Sequence, residues 1–191
     1  MSPVRPGVRD SETLIPLYHR FRAQYLGLEL TWDTYRGLFH GPHQTRELIA
    51  QSGSAFFSGV EQAYLQSLLL GLCRLTDRTI AGRDQNLTLE NLIEYFDDVA
   101  VRDQLMTSFS AARAKCDFAR GYRNKAIAHA DFDFSQTGGS RLLPPLEIEA
   151  INAALVSIET LLADVEQAFA GSRPLRGVGI SFGGNEVLLR R

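Results

Sequence analysis

Two long stretches of this 191-residue chain repeat their apolar residues at steps of three and four. Between 45 and 75 the positions are Leu48, Phe56, Val60, Tyr64, Leu68, Leu72 and Leu75. Between 146 and 169 they are Leu146, Ile148, Ile151, Leu155, Ile158, Leu162, Val165 and Phe169. Each residue advances roughly 100° around an α-helix, so this spacing draws one apolar stripe down one face. Helices of this length bury such stripes only against other helices. The pattern therefore predicts an all-α fold, an antiparallel helical bundle with long central helices. The first stretch is expected to be a long buried helix at the centre, and the second to end near Gly171.

Local signals supply the other elements. Ser11 is expected to cap a helix over 12–26 carrying Leu14, Leu17, Tyr18, Phe21 and Tyr25, with Gly27 interrupting it. Thr31 then caps a short amphipathic segment over 32–39 that ends near Gly41-Pro42, its aromatics serving as core anchors. Residues 78–87 have few apolar side chains and read as a loop. Thr88 is expected to cap a short helix with Leu89, Leu92, Ile93, Tyr95 and Phe96. The pair Asp97-Asp98 then starts a long helix. A loop over 131–145, with Gly138, Gly139 and Pro144-Pro145, separates that helix from the last. After Gly171 two short β-like runs, 178–182 and 186–189, flank Gly183-Gly184-Asn185 and predict a C-terminal β-hairpin. The expected organisation is thus a helical domain over 1–171 and a tail over 172–191. A lone hairpin is marginal in water, so the tail should pack on the helices or on a second subunit.

Composition narrows the function classes. At 45% hydrophobic content the chain can bury one core. It has no run of about 18 apolar residues, and Met1-Ser2-Pro3-Val4-Arg5-Pro6 lacks the apolar core of a signal peptide. A soluble cytoplasmic protein with no membrane association is expected. Cys73 and Cys116 lie in helical apolar patterns without metal-ligand spacing and read as buried thiols. His40-Gly41-Pro42-His43 pairs two imidazoles with no second ligand pair to follow, so these read as turn residues. Neither a metal nor another cofactor is expected.

A net charge of −2 gives no global sign of a nucleic-acid partner. The local balance differs. Over 99–129, Arg102, Arg113, Lys115, Arg120, Arg123 and Lys125 stand against Asp103 and Asp117, six basic residues to two acidic, a net +4. A solvated helix face and a binding surface both account for that excess.

Within it lies Arg123-Asn124-Lys125-Ala126-Ile127-Ala128-His129. Arginine is charged at any physiological pH and presents a planar fork of donors to phosphate oxygens. Histidine, with an ordinary pKa of about 6.5, carries a proton either way. The pairing suits chemistry on phosphate. On a regular helix six residues turn through roughly 600°, leaving Arg123 and His129 about 120° apart, so they converge on one groove only if the helix ends or loosens near Ala130. Arg123 also interrupts a seam: Leu105, Phe109, Ala112, Cys116, Ala119, Arg123, Ala126 and Ala130 follow steps of four and three. A cation in such a seam needs a carboxylate partner or an anion to admit. Arg74 and Asp77 stand at the spacing of a local ion pair, or else border the cleft.

Three stretches together resemble a known family: Trp32-Asp33-x-Tyr35-Arg36-x-Leu38-Phe39, Arg74-Leu75-Thr76-Asp77, and Tyr122-Arg123-Asn124-Lys125-Ala126-Ile127-Ala128-His129-Ala130-Asp131. The last holds the Arg-x(4 to 6)-His motif of the HEPN superfamily, and the set looks like its abortive-infection, AbiU-like branch. The resemblance spans roughly 12–170 and leaves the tail outside. It implies an α-helical, metal-independent ribonuclease in which Arg123 and His129 are catalytic and Asn124 is a supporting polar residue. Some HEPN toxins carry, two residues after the histidine, a tyrosine that a partner nucleotidyltransferase modifies. Asp131 stands there, so that regulation is not expected, and Asp131 either steadies the imidazole or is an exposed loop residue.

RNA cleavage needs a base for the 2′-hydroxyl proton, an acid for the leaving 5′-oxygen and positive charge beside the phosphorane. One motif supplies one histidine. A symmetric dimer supplies two imidazoles and two guanidinium groups to one cleft. The expectation is a homodimeric endoribonuclease of toxin or phage-defence type, acting on single-stranded or loop RNA, with an antitoxin as a further partner. Arg120, Tyr122 and Lys125 are expected substrate contacts, with Asp131 beside them. The alternative is a noncatalytic helical dimer that uses the same positive cleft for RNA, a nucleotide or a protein partner.

Overall fold

A computed structural model of the chain describes residues 7–81, 84–127 and 146–170. Helix α1 (Ser11–Phe39) and helix α2 (His43–Thr76) form an antiparallel pair through the turn His40-Gly41-Pro42. A two-residue ribbon follows, β1 (Ile80–Ala81) pairing antiparallel with β2 (Asp84–Gln85). Then come a short α3 (Glu90–Ile93), α4 (Val99–Lys115), α5 (Asp117–Tyr122), a π turn over Arg123–Ile127, and α6 (Ile148–Ala170). The most extensive packing is α4 along α6 and α1 along α2, and α1 also touches α6. The all-α bundle is as expected. The predicted C-terminal hairpin lies outside the described residues, and the only described strands are the ribbon where a loop was expected.

Helix α1 runs unbroken for 29 residues, about 44 Å, where two segments were expected. Its cap is Asp10, not Ser11: a carboxylate oxygen accepts from the Thr13 amide at 3.1 Å. Gly27 does not interrupt it, because Tyr25, Leu28, Trp32 and Tyr35 keep one buried stripe across that position. The Thr31 hydroxyl donates to the Gly27 carbonyl at 2.7 Å within the helix, so it caps nothing.

Helix α2 departs the other way. Gly53 holds φ +139°, a backbone that residues with a β-carbon rarely adopt, and breaks the helix into two rods. The second rod is central as expected, with Leu68, Leu69, Leu72, Cys73 and Leu75 buried. Its burial begins only near Leu68: Phe56, just past the break, is 70% exposed, and Leu48 on the first rod is 52% exposed. Periodicity reports a stripe, not what covers it.

Asp98 caps α4 as expected, accepting from the Ala100 and Val101 amides. At the short helix Thr88 acts through its backbone. Its N–H donates to Asn91 Oδ1 at 2.8 Å and its carbonyl accepts from the Asn91 amide. The long helix expected to reach the motif is broken at Cys116, where φ −95° and ψ 5° turn the chain into α5. Helix α6 is the most regular stripe, burying Ile151, Leu155, Ile158, Leu162, Val165 and Phe169. Burial of each large apolar side chain contributes about 1.5–3 kcal/mol. Polar bonds fix the register of α6: Tyr18 Oη donates to Glu166, Trp32 Nε1 to Asn152 Oδ1 and Ser108 Oγ to Asp164.

Among the described residues, no helix is long and apolar enough to cross a membrane. Both cysteines are free and buried, as expected. Burial pushes each thiol up to about 11.

Candidate functional site

Helix α5 and the π turn lie against the C-terminal end of α2. The apolar seam holds as far as Ala119: Leu105, Phe109, Ala112, Cys116 and Ala119 are all buried. Arg123, the next position in the seam, begins the π turn and is half-buried at the rim. A π turn inserts a residue into the helical register, a departure found often where a side chain is re-aimed for function. The 120° separation estimated for a regular helix therefore does not carry over. His129 and Asp131 lie outside the described residues.

What Arg123 meets is Asp77, the C-cap residue of α2. Arg123 Nη1 donates to Asp77 Oδ2, and Arg123 Nε donates to Asn124 Oδ1 at 3.2 Å. Asn124 thus touches the arginine directly. Asp77 Oδ1 accepts from Arg120 Nη1 at 3.4 Å. The expected Arg74–Asp77 ion pair is not formed. The Asp77 carboxylate is taken by Arg120 and Arg123 of the neighbouring α5 and π turn instead.

Arg120 was expected to touch substrate, and the geometry gives it internal work instead. Its Nε and Nη2 donate to Asp117 Oδ1 at 3.1 and 3.0 Å, its Nη1 to Thr76 Oγ1 at 3.0 Å, and its Nη2 also to the Arg113 carbonyl. With a side chain only 12% exposed and all three nitrogens bonded, it braces α4, α5 and the end of α2. Arg123 differs. Its side chain is 28% exposed, and among the described residues nothing accepts from its Nη2.

Two guanidinium groups meet one carboxylate at the C-terminal end of α2, where the helix adds about half a negative charge. Asp117 supplies a second carboxylate on the far side of Arg120, so the two guanidinium groups are matched by two carboxylates and the cluster has no net positive charge. Lys125 and Tyr122 are half-buried beside it, and burial raises the Tyr122 phenol above its ordinary value. A cleft of about 630 Å³ starts at the residue after Asp77, lined by Arg78, Thr79, Glu90, Glu94, Arg102 and Met106 among others. Among the described residues, no group of three or more His, Cys, Asp or Glu is placed to hold a metal ion.

The residues missed as partners of Arg123 and Arg120 are Asp77 and Thr76. The one signal available was their place in the Arg74-Leu75-Thr76-Asp77 stretch.

The fold is that of an all-helical protein, and a HEPN family model matches most of the chain. That family is AbiU2, which matches residues 11–186, and the chain belongs to it. The match runs through most of the tail, beyond the expected limit near 170. No curated protein and no solved structure matches the chain.

Proposed function

We propose that this AbiU2-family chain is a metal-independent endoribonuclease of toxin or phage-defence type, in which Arg123 and His129 from two protomers form a composite site. One observation carries the reading: the seam arginine is partly exposed, braced by Asp77, and among the described residues has a donor edge left over. A purely structural arginine would be enclosed like Arg120. The guanidinium would stabilise charge on the phosphorane, and the two His129 imidazoles would act as base and acid. Asn124 would hold the guanidinium from its other side. Leu48 and Phe56, exposed on either side of the Gly53 break in α2, supply surface that a second copy would cover.

The noncatalytic reading, a helical dimer that binds RNA, a nucleotide or a protein partner, is favoured by the Arg123–Asp77 pair, since that pair offsets much of the charge a phosphate would meet.

Incubation of purified protein with RNA in the presence of a chelator separates the two. The wild type is expected to cleave, and Arg123→Ala and His129→Ala each to lose about 100-fold or more. If the site is shared between protomers, adding excess His129→Ala chain to the wild type lowers the activity of each wild-type chain, because a mixed dimer holds one imidazole where two are needed. Binding without cleavage by the wild type leaves the noncatalytic reading.

A further inference from the structure

We propose that Asp77 is the positioning residue for Arg123, fixing which edge of its guanidinium faces the substrate phosphate. The proposal deepens the ribonuclease reading and rests on it for the identity of the substrate.

Asp77 is itself well anchored. Its N–H donates to the Cys73 carbonyl at 2.7 Å, closing the last turn of α2, and its neighbour Thr76 is fully buried. The Thr76 hydroxyl donates to the Leu72 carbonyl at 2.7 Å while accepting from Arg120. The carboxylate is then oriented by a cation that cannot follow it: Arg120 is tied to Asp117, Thr76 and the Arg113 carbonyl. With Oδ1 turned to Arg120, Oδ2 is the oxygen left for Arg123.

Arg123 needs such a hold. It roots in a widened turn, and an arginine side chain has several rotatable bonds whose freedom must be given up to meet a phosphate. Asp77 takes Nη1 and Asn124 takes Nε, so the rotamer is set before substrate arrives and, among the described residues, Nη2 is left over.

The test uses the full-length protein with Asp77→Asn and Asp77→Glu. Cleavage of a single-stranded RNA is resolved into kcat and KM, rotation of the Arg123 guanidinium is followed by side-chain nitrogen NMR, and thermal unfolding is the control. Asp77→Asn is expected to lower kcat on the order of 10- to 100-fold with KM within about threefold. The Arg123 guanidinium, slow to rotate in the wild type, should rotate freely in that variant. Asp77→Glu, whose longer arm still reaches both arginines, should recover most of kcat. A folded Asp77→Asn protein with unchanged kcat overturns the proposal, as does a loss confined to KM. Should Asp77→Asn fail to fold, the wild-type spectrum decides, because a freely rotating Arg123 there refutes the hold. If the wild type cleaves no RNA, the ribonuclease reading fails. Hindered rotation of Arg123 that Asp77→Asn releases would then still support positioning, and unhindered rotation would end it.

Discussion

Arg120 and Arg123 are one turn apart and chemically identical, yet one is enclosed by acceptors and the other stands at a rim. Their replacements should therefore separate stability from activity. Arg120→Ala leaves Asp117, Thr76 and the Arg113 carbonyl without their donor and is expected to cost about 2–4 kcal/mol in urea unfolding. Arg123→Ala leaves Asp77 still facing Arg120 and open to water, so its cost should stay under about 1 kcal/mol. Equal losses would contradict the division of labour. The sequence pointed to Arg123 through its place in an apolar seam, but it could not name Asp77 as the partner, 46 residues away. Arg74 is nearer in sequence, but the carboxylate is held by Arg120 and Arg123 across the helix packing.

At the scale of elements, the stripes announced the long helices because burial on one face leaves a period that any reader of the chain can count. Breaks and continuities were less visible. Ser52-Gly53-Ser54 carries a turn signal that the apolar period across it hid, nothing around Cys116 signals a bend, and Gly27 signals one that does not occur, since packing of Trp32 and Tyr35 overrides the weak preference of one glycine. Glycines in the α1–α2 pair make that contrast measurable. A β-carbon at Gly27 meets nothing within 4 Å, so Gly27→Ala should raise stability by about 0.5–1 kcal/mol. At Gly71 it would press into the Leu28 side chain, where the two helices come closest, so Gly71→Ala should cost about 1–3 kcal/mol. Melting temperatures that shift in the same direction for both would refute the packing described.

For the molecule as a whole, burial has a titration signature at alkaline pH. Cys73 and Cys116 are held up to about 11 from an ordinary value near 9, chiefly by burial. Tyr35 is raised to about 12, and Tyr18 and Tyr25 higher still, again chiefly by burial. Above pH 9 the unfolded chain releases protons that the folded chain retains, so stability should fall as pH rises from 9 toward 11 and beyond. Below 9 these groups contribute no slope. Urea midpoints under reducing conditions should be lower at pH 10 than at pH 8, and an unchanged midpoint would mean these groups are not shielded as described. The ties between chain ends carry a further consequence, for biosynthesis. Residues Gly7 and Arg9 bond to Asp97 and Tyr95, and Tyr18 and Trp32 wait for Glu166 and Asn152. The first helix made is thus the last to be fully clothed, and a nascent chain stalled before Ile148 would leave the ribosome with its aromatic face bare.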